Sequence, residues 1–197
     1  MTMHAQARQE VVDCCLRLTD RGYLSGTGGN VSLRIDERRF AMTPSAIDYY
    51  SMKAADVCIL NLDTLAVEDG DRKPSVESRL HAAVLRFRAD AAAGIHTHQP
   101  FASAVALLGV DLREPRALAV RYAPSGTWLL VRALRKRLRR EVDAYLLVNH
   151  GLICCGQTMA GAEAAAESVE LAALRFLRAA IARASAGKLA QEILSEL

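Results

Sequence analysis

The sequence contains few aromatic residues and few cysteines for its length. Its 197 residues include one Trp, five Tyr and four Phe, so we expect a core built mainly from Ala, Leu and Val. The five cysteines are an odd number and include the adjacent pairs Cys14-Cys15 and Cys154-Cys155. Because sequence neighbours are poorly placed to bridge each other, this pattern argues against a disulfide scaffold and predicts buried thiols in a reducing compartment.

Long apolar runs and an excess of one charge are also absent. No stretch approaches the ~18–20 apolar residues of a membrane span, and the N-terminal segment carries acids where a secretion signal would be apolar. The chain has 25 Lys and Arg against 22 Asp and Glu, a net charge of +3, which is too balanced for a protein that works mainly by binding a polyanion. We therefore expect a cytoplasmic protein whose partners include neither a membrane nor nucleic acid.

The composition is that of a globular protein. With 51% hydrophobic and 24% charged residues, it excludes disordered, collagen-like and coiled-coil classes. The length predicts a single domain over residues 1–197.

Periodicity along the chain predicts alternating helices and strands. We expect helices at residues 4–21, 76–89, 100–108, 126–140 and 158–184. We expect strands at residues 31–35, 40–43, 57–62, 65–67, 92–98, 145–148 and 152–155. The alternation is irregular and has no uniform βαβ period. It therefore predicts a three-layer α/β/α domain with a central, largely antiparallel or mixed sheet.

Two of these helices carry further expectations. For the helix at 76–89, Ser75 is the expected N-cap. Its expected apolar face contains Leu80, Ala83, Val84 and Phe87. In the helix at 126–140, a leucine stripe places the basic residues on the opposite, solvated side, with subunit contacts as the alternative. The basic residues are Arg132, Arg135, Lys136, Arg137, Arg139 and Arg140.

Three histidines are candidate metal ligands. Alternation along a strand directs the imidazoles of His96 and His98 to the same face, and therefore toward one metal ion. His150, between an apolar strand and Gly151, offers a third imidazole, and three histidines with an open position form a known catalytic zinc arrangement. The alternatives are ordinary polar residues at a strand end and a turn histidine bonded to the backbone.

An acid and a glycine-rich turn are the other candidate functional features. Glu77 lies near a predicted helix N-terminus, where it acts either in helix capping or, if the fold brings it to the histidines, as a metal ligand or general base. Residues 26–30, G-T-G-G-N, are typical of a tight turn or of an anion-binding nest of backbone N–H groups. No G-K-[ST] follows them, so they are not a P-loop.

Five ordered motifs together resemble the class II aldolase/adducin family over nearly the whole chain. They are G-T-G-G-N-V-S at 26–32, T-P-S-A-I at 43–47, K-P-S-V-E at 73–77, H-T-H at 96–98 and N-H-G at 149–151. The resemblance implies a class II aldolase-like fold in which His96, His98 and His150 bind a divalent metal. The metal is usually zinc, with Mn²⁺ or Co²⁺ as alternatives. Glu77 stands where the family has its base or displaceable ligand.

The resemblance also implies a substrate site and an assembly. The expected partner is a small, phosphorylated molecule. The implied phosphate-binding residues are Thr27, Gly28, Asn30, Thr43, Ser45 and Ser75. Val76 and Ala46 replace a serine and a glycine of the family pattern, so this site keeps less of the family's phosphate-binding pattern. The family further implies a homotetramer with active sites at subunit interfaces.

The chain departs from the family between residues 109 and 124. This connection is about ten residues shorter than in one sugar-phosphate aldolase of the family, and it lacks the segment that bears a catalytic tyrosine there. By the same comparison, we expect no counterpart of the C-terminal tail that supplies another tyrosine in that enzyme. Tyr122 resembles a different family tyrosine and is the remaining candidate for a proton donor or substrate contact, with a half-buried structural tyrosine as the alternative.

We therefore expect a metal-dependent aldolase that cleaves a small ketose phosphate by retro-aldol chemistry. A metal held by three neutral histidines is a Lewis acid that stabilises the enediolate formed when the carbon–carbon bond breaks. The alternatives within the family are a decarboxylase, dehydratase or epimerase acting on a related sugar phosphate or oxo-acid. A non-catalytic, adducin-like interaction domain is the lower-ranked alternative.

Overall fold

The computed structural model describes residues 3–196, with side chains as far as residue 186. In this part of the chain, eight strands form one sheet and five α-helices pack on its faces. The helices are α1 (Met3–Asp20), α2 (Ser78–Phe87), α3 (Pro100–Leu108), α4 (Trp128–Arg137) and α5 (Met159–Glu196). The strands are β1 (Asn30–Arg34), β2 (Arg39–Met42), β3 (Cys58–Asn61), β4 (Val67–Asp69), β5 (Ala93–Thr97), β6 (Ala117–Val120), β7 (Ala144–Leu147) and β8 (Gly151–Gly156).

The sheet is mixed, as the sequence predicts. Its strands lie in the order β4-β3-β2-β1-β5-β8-β7-β6. Neighbouring strands are antiparallel except β6 and β7, which are parallel. The β1–β5 register pairs Asn30 with His96. Because directly paired residues direct their side chains to the same side of a sheet, these two side chains share one face.

Helices cover both faces of the sheet, which confirms the three-layer α/β/α expectation. Helices α1, α3 and α5 lie on one face, and α2 and α4 lie on the other. Along β7, Tyr145 and Leu147 pack toward the α2 and α4 layer, whereas Ala144 and Leu146 pack toward α3 and α5. The central strands β1, β5 and β8 are buried at nearly every position because each face packs against helices.

Two strands differ from expectation. Strand β6 has no counterpart among the expected strands, because its four residues are too few to show a period and its position depends on parallel pairing with β7. The return strand β4 lies at Val67–Asp69 rather than at 65–67. Leu65 is unavailable to it because it adopts a left-handed conformation in the turn, with φ of 62°.

Helix α2 begins later than expected. The Ser78 N–H donates to the Ser75 carbonyl at 3.1 Å, so residues 75–77 form a turn, and Glu77 rather than Ser75 is the N-cap residue. Its buried face matches expectation except at Phe87, the last helical residue, which is 42% exposed.

The limits of α4 and α5 also differ from the expected ones. Helix α4 spans Trp128–Arg137 instead of 126–140, because the Thr127 hydroxyl caps its N-terminus and Leu138 leaves the helical conformation. Helix α5 extends beyond the expected end at 184 to Glu196.

The cysteines and the basic cluster lie where the sequence predicts. All five cysteines are buried and free. Leu130, Leu134 and Leu138 are buried, whereas the basic residues between them are exposed or half-buried. Arg137 pairs with Asp111 at 2.7 Å. In the part of the chain that the structure describes, no helix is both long and apolar enough to cross a membrane.

Candidate functional site

Two of the candidate histidines lie at the end of β5. His96 is within the strand and His98 follows it directly. Their Nε2 atoms are 2.9 Å apart, so both rings occupy the same face, as strand alternation predicts. The Nδ1 of His96 donates to the Leu152 carbonyl at 2.8 Å. This hydrogen bond directs the lone pair of His96 Nε2 toward His98.

His150 reaches this pair from the turn between β7 and β8. Asn149 adopts a left-handed conformation with φ of 56°, and the His150 N–H donates to the Leu147 carbonyl at 3.0 Å. The His150 ring centroid lies 4.7 Å from that of His96 and 5.3 Å from that of His98. One ligand atom from each histidine lies within 4.8 Å of the others. The fold therefore brings together three imidazoles that are far apart in sequence.

The carboxylate of Glu77 faces the histidines from the N-terminus of α2. Its Oε2 lies 3.1 Å from His96 Nε2, and its Oε1 lies 3.2 Å from His150 Nε2. The side chain makes no capping hydrogen bond to α2. The capping alternative is therefore not observed, and the carboxylate is part of the histidine cluster.

Two hydrogen bonds hold this carboxylate from other directions. The Asn30 amide donates to Oε2 at 2.8 Å, and the Ser125 hydroxyl donates to Oε1 at 2.8 Å. Ser125 lies on the loop that precedes α4 and is not among the candidates from the sequence. Its place in the P-S-G-T turn at 124–127 was the only local signal, because its partner is 48 residues away.

Burial and charge shape the ionisation of the site. Burial lowers the pKa of His96 to about 3 and also lowers the pKa of His98. Burial alone would raise the pKa of the Glu77 carboxyl, but the electrostatic interaction with the His96 ring and the hydrogen bonds from His150 and Asn30 outweigh it, so the pKa lies well below its usual range. The site therefore favours an ionised Glu77 beside neutral rings at His96 and His98.

This donor set fits a divalent cation. The imidazole nitrogens and the carboxylate converge on one point. Their lone pairs would repel one another there unless a proton or a cation lies between them. The Nδ1 of His150 is buried and has no hydrogen-bond partner among the described residues. Three histidines that leave a coordination position open match the ligand chemistry of catalytic zinc.

Comparison of the sequence with models of known protein families identifies the family of this chain. The family described as the Class II Aldolase and Adducin N-terminal domain matches residues 9–176. The chain belongs to this family. The resemblance carried by the five sequence motifs is thereby confirmed, and the observed fold is that of class II aldolases.

Similar members of the family are named as sugar-phosphate aldolases. A 5-deoxy-D-ribulose 1-phosphate aldolase from Bacillus thuringiensis serovar kurstaki is 37% identical over 175 residues, covering 84% of this chain and 82% of that protein. A 5-methylthioribulose-1-phosphate/5-deoxyribulose-1-phosphate aldolase from Rhodospirillum rubrum is 32% identical, covering 87% of this chain and 80% of that protein. A solved structure of an L-fuculose 1-phosphate aldolase matches with a TM-score of 0.82 and 30% identity, covering 88% of this chain and 86% of that chain. These similarities support an aldolase-type lyase.

The first group of phosphate-site candidates surrounds the glycine-rich turn. Thr27 is exposed at its tip. Gly28 packs against His98, and a Cβ atom there would lie 3.0 Å from the Nδ1 of that ring. The buried Tyr49 supports the turn by donating its hydroxyl proton to the Gly29 carbonyl at 2.5 Å. Asn30 is 5% exposed and directs its amide to Glu77 rather than to solvent.

The second group of candidates lies on two paired segments. Pro44 and Pro74 form an isolated bridge, and the Ser75 N–H donates to the Thr43 carbonyl at 3.0 Å. Thr43 is fully buried, and its hydroxyl accepts from the Val31 N–H at 3.3 Å. Ser75 is 8% exposed and its hydroxyl accepts from the Glu77 N–H at 3.3 Å, whereas Ser45 is half-buried.

Tyr122 is separate from the histidine cluster within one chain. It is 54% exposed and lines a cavity of about 1050 Å³ together with Leu129 and Val148. Among the described residues, its hydroxyl has no hydrogen-bond partner. The structure therefore groups Glu77 with the three histidines and leaves Tyr122 on a neighbouring surface.

Proposed function

We propose that this protein is a divalent-metal-dependent aldolase that cleaves a phosphorylated ketose. One observation carries the proposal: Glu77 places its two oxygens 3.1 Å and 3.2 Å from Nε2 of His96 and Nε2 of His150. A carboxylate base beside a metal-binding triad suits proton transfer next to a carbonyl group. The similarity to a 5-deoxy-D-ribulose 1-phosphate aldolase supports a short ketose 1-phosphate as the substrate.

His96, His98 and His150 are the residues that would hold the metal, which we propose to be zinc, with Mn²⁺ or Co²⁺ as alternatives. When bound, such a metal supplies a Lewis acid for the negative charge that develops on substrate oxygens. A histidine nitrogen that ligates a metal carries no proton. Glu77 would then retain Asn30 and Ser125 as its hydrogen-bond donors.

We assign the proton transfer of the cleavage to Glu77. When the C3–C4 bond of the ketose phosphate breaks, the C4 hydroxyl loses its proton and C4 becomes the carbonyl carbon of an aldehyde. The bonding electrons remain on the C2–C3 fragment as an enediolate. Glu77 takes up the proton and delivers it to C3, which gives dihydroxyacetone phosphate. Tyr122 is our candidate for a second proton-transfer or substrate-binding group in the assembled protein.

The phosphate site in this proposal consists of the two loop groups near the metal triad. The hydroxyls of Thr27, Ser45 and Ser75 are the proposed donors to the phosphate oxygens. Gly28 allows the chain to pass close to His98, while the side chains of Asn30 and Thr43 hold the loops in place.

A substrate panel tests the proposed function. The zinc-loaded protein is incubated with 5-deoxyribulose 1-phosphate, other ketose 1-phosphates, pentulose 5-phosphates and oxo-acids, and the aldehyde, dihydroxyacetone phosphate and carbon dioxide are measured. We expect aldehyde and dihydroxyacetone phosphate from at least one ketose 1-phosphate, with Glu77→Gln as the inactive control.

Other products would redirect the assignment. Carbon dioxide from unphosphorylated oxo-acids alone would show a decarboxylase, and interconversion of pentulose 5-phosphates would show an epimerase. A zinc-bound protein that turns over no member of the panel would contradict the aldolase and favour an adducin-like interaction domain.

A further inference from the structure

A line of buried polar side chains extends behind Glu77, away from the histidines. It contains Ser32 on β1, His81 on α2 and Asn30 at the start of β1. Ser32 and His81 are fully buried, and Asn30 is 5% exposed. Ser32 Oγ lies 2.7 Å from His81 Nδ1, and His81 Nε2 lies 2.6 Å from Asn30 Oδ1. The Asn30 amide then contacts the Glu77 carboxylate at 2.8 Å.

The chemistry of these groups fixes the direction of each hydrogen bond. An ionised carboxylate only accepts, so Asn30 must present its NH₂ group to Glu77 and its carbonyl oxygen to His81. The carbonyl oxygen in turn requires a proton on His81 Nε2. In a neutral imidazole the Nδ1 then accepts, and the Ser32 hydroxyl donates to it. Burial lowers the pKa of His81 to about 4, which agrees with a neutral ring.

The space around His81 is suited to this arrangement. Gly94 on β5 has no side chain, and a Cβ atom there would lie 2.8 Å from Ser32 Oγ and 2.9 Å from His81 Nδ1. Because Asn30 is only 5% exposed and His81 is fully buried, each depends on the next for a hydrogen-bond partner. An Asn30 amide released from His81 would be free to rotate and present its oxygen to the carboxylate.

We propose that His81 is a positioning residue for Glu77, acting through the side-chain orientation of Asn30. The inference rests on the proposed function because it assigns a task to the same carboxylate. The side chain of His81 hydrogen-bonds Ser32 and Asn30, and among the described residues it makes no hydrogen bond to the histidine triad. Its loss should therefore change the rate of proton transfer more than the affinity for substrate or metal.

Variants of His81 separate positioning from packing. Gln places an N–H group near the position of His81 Nε2, so His81→Gln should retain most of the wild-type kcat. His81→Phe keeps a ring but removes the donor to Asn30. We expect it to lower kcat about tenfold, with KM and zinc content changed by less than about twofold. Equal kcat values for His81→Phe and wild type would overturn the proposal.

A double-mutant cycle tests whether His81 acts through Asn30. Asn30→Ala removes the amide that His81 orients, so adding His81→Phe to this variant should lower kcat by no more than about twofold. A full tenfold further loss in the Asn30→Ala background would show that His81 supports the fold independently of Asn30, and would also overturn the proposal.

The tautomer of His81 can be measured without a substrate and without an activity assay. Nitrogen-15 spectra of histidine-labelled, zinc-loaded protein should show His81 as neutral and protonated on Nε2, with the signal assigned by its loss in His81→Gln. A proton on Nδ1 would contradict the direction of the hydrogen bonds. If wild type cleaves no ketose phosphate, the proposed function fails, while the tautomer still decides the hydrogen-bond order behind Glu77.

Discussion

At the scale of single residues, the most informative contact is that of Glu77 with its four polar neighbours. The carboxylate receives donors from Asn30 and Ser125 on one side and faces His96 and His150 on the other. Glu77 is the N-cap residue of α2, but its side chain accepts no hydrogen bond from the backbone of that helix. The side chain is therefore available for chemistry.

Glu77→Gln should separate catalysis from folding. The amide keeps the size of the side chain and removes the basic carboxylate, and general acid–base groups contribute roughly 10²–10⁴-fold in rate. We expect kcat to fall by about that factor while the zinc content and the denaturant midpoint remain close to wild type. An active Glu77→Gln protein would assign the carboxylate a structural task.

Removing one imidazole should remove the metal. In His98→Ala, two histidines remain, and we expect less than about one tenth of the zinc that wild type binds by elemental analysis after supplementation. His4→Ala is the matched control, because His4 lies beside Asp69, away from the triad. Wild type with far less than one metal per chain would contradict the proposed triad.

At the scale of secondary-structure elements, the site depends on how closely β8 approaches the end of β5. Gly151, the first residue of β8, lies against β5. A Cβ atom there would lie 2.4 Å from the Thr97 carbonyl oxygen and 2.7 Å from His98 Cδ2. Because the first of these is a backbone atom in a central strand, it has little freedom to shift. This close approach also places His150, on the preceding turn, beside His98.

Gly151→Ala should therefore weaken both the fold and the metal site. We expect a loss of about 1–3 kcal/mol in the free energy of unfolding, as for overpacking, together with weaker zinc binding because His98 is displaced. Gly26→Ala is the control: its φ of 58° adds strain, but no atom lies within 4 Å of its Cβ position. Denaturant unfolding and zinc titration measure the two effects, and equal zinc affinity in both variants would contradict the role of Gly151.

At the scale of the whole molecule, an apolar surface extends from the end of α3 to the start of α4. Its large exposed side chains are Leu107, Leu108, Val110, Tyr122, Trp128 and Leu129. Trp128, the first residue of α4, is 59% exposed. Val110, Tyr122 and Leu129 line one cavity, and exposed apolar residues grouped in this way mark interaction surfaces. The loop that carries Ser125 borders the surface, so a neighbouring copy bound there would lie close to the site.

We expect the protein to be a homotetramer whose sites are completed at this surface. Trp128→Glu should lower the mass measured by light scattering at assay concentration and reduce kcat with it. Val67→Glu is the control, because it introduces the same charge at an exposed position on β4, at the opposite edge of the sheet from β6. It should leave the measured mass and kcat unchanged. A fully active wild-type monomer would exclude an interfacial site.

Local sequence patterns were sufficient for much of the fold and for the centre of the site. Alternation over His96–His98 predicted two imidazoles on one face, and the same face is observed. Leucine spacing predicted the buried side of α4. These features depend on neighbours within a few residues, so local geometry determines them.

Other features were decided only by the tertiary structure. Strand β6 exists because parallel pairing with β7 supplies its hydrogen bonds. Ser125 reaches Glu77 across 48 residues, and His81 reaches Asn30 across 51 residues. Neither contact could be predicted from periodicity in the sequence, because a single polar residue on a loop or helix forms no repeating pattern.

The sequence by itself determined which residue types are available for chemistry, and its five ordered motifs determined the family. The tertiary structure decided which of those residues meet. Sheet order places β1 beside β5 and β5 beside β8, which brings Asn30, His96 and His150 to Glu77. Hydrogen bonds and charges act over a few ångströms of space, whatever the separation along the chain, and only the packed sheet sets those distances.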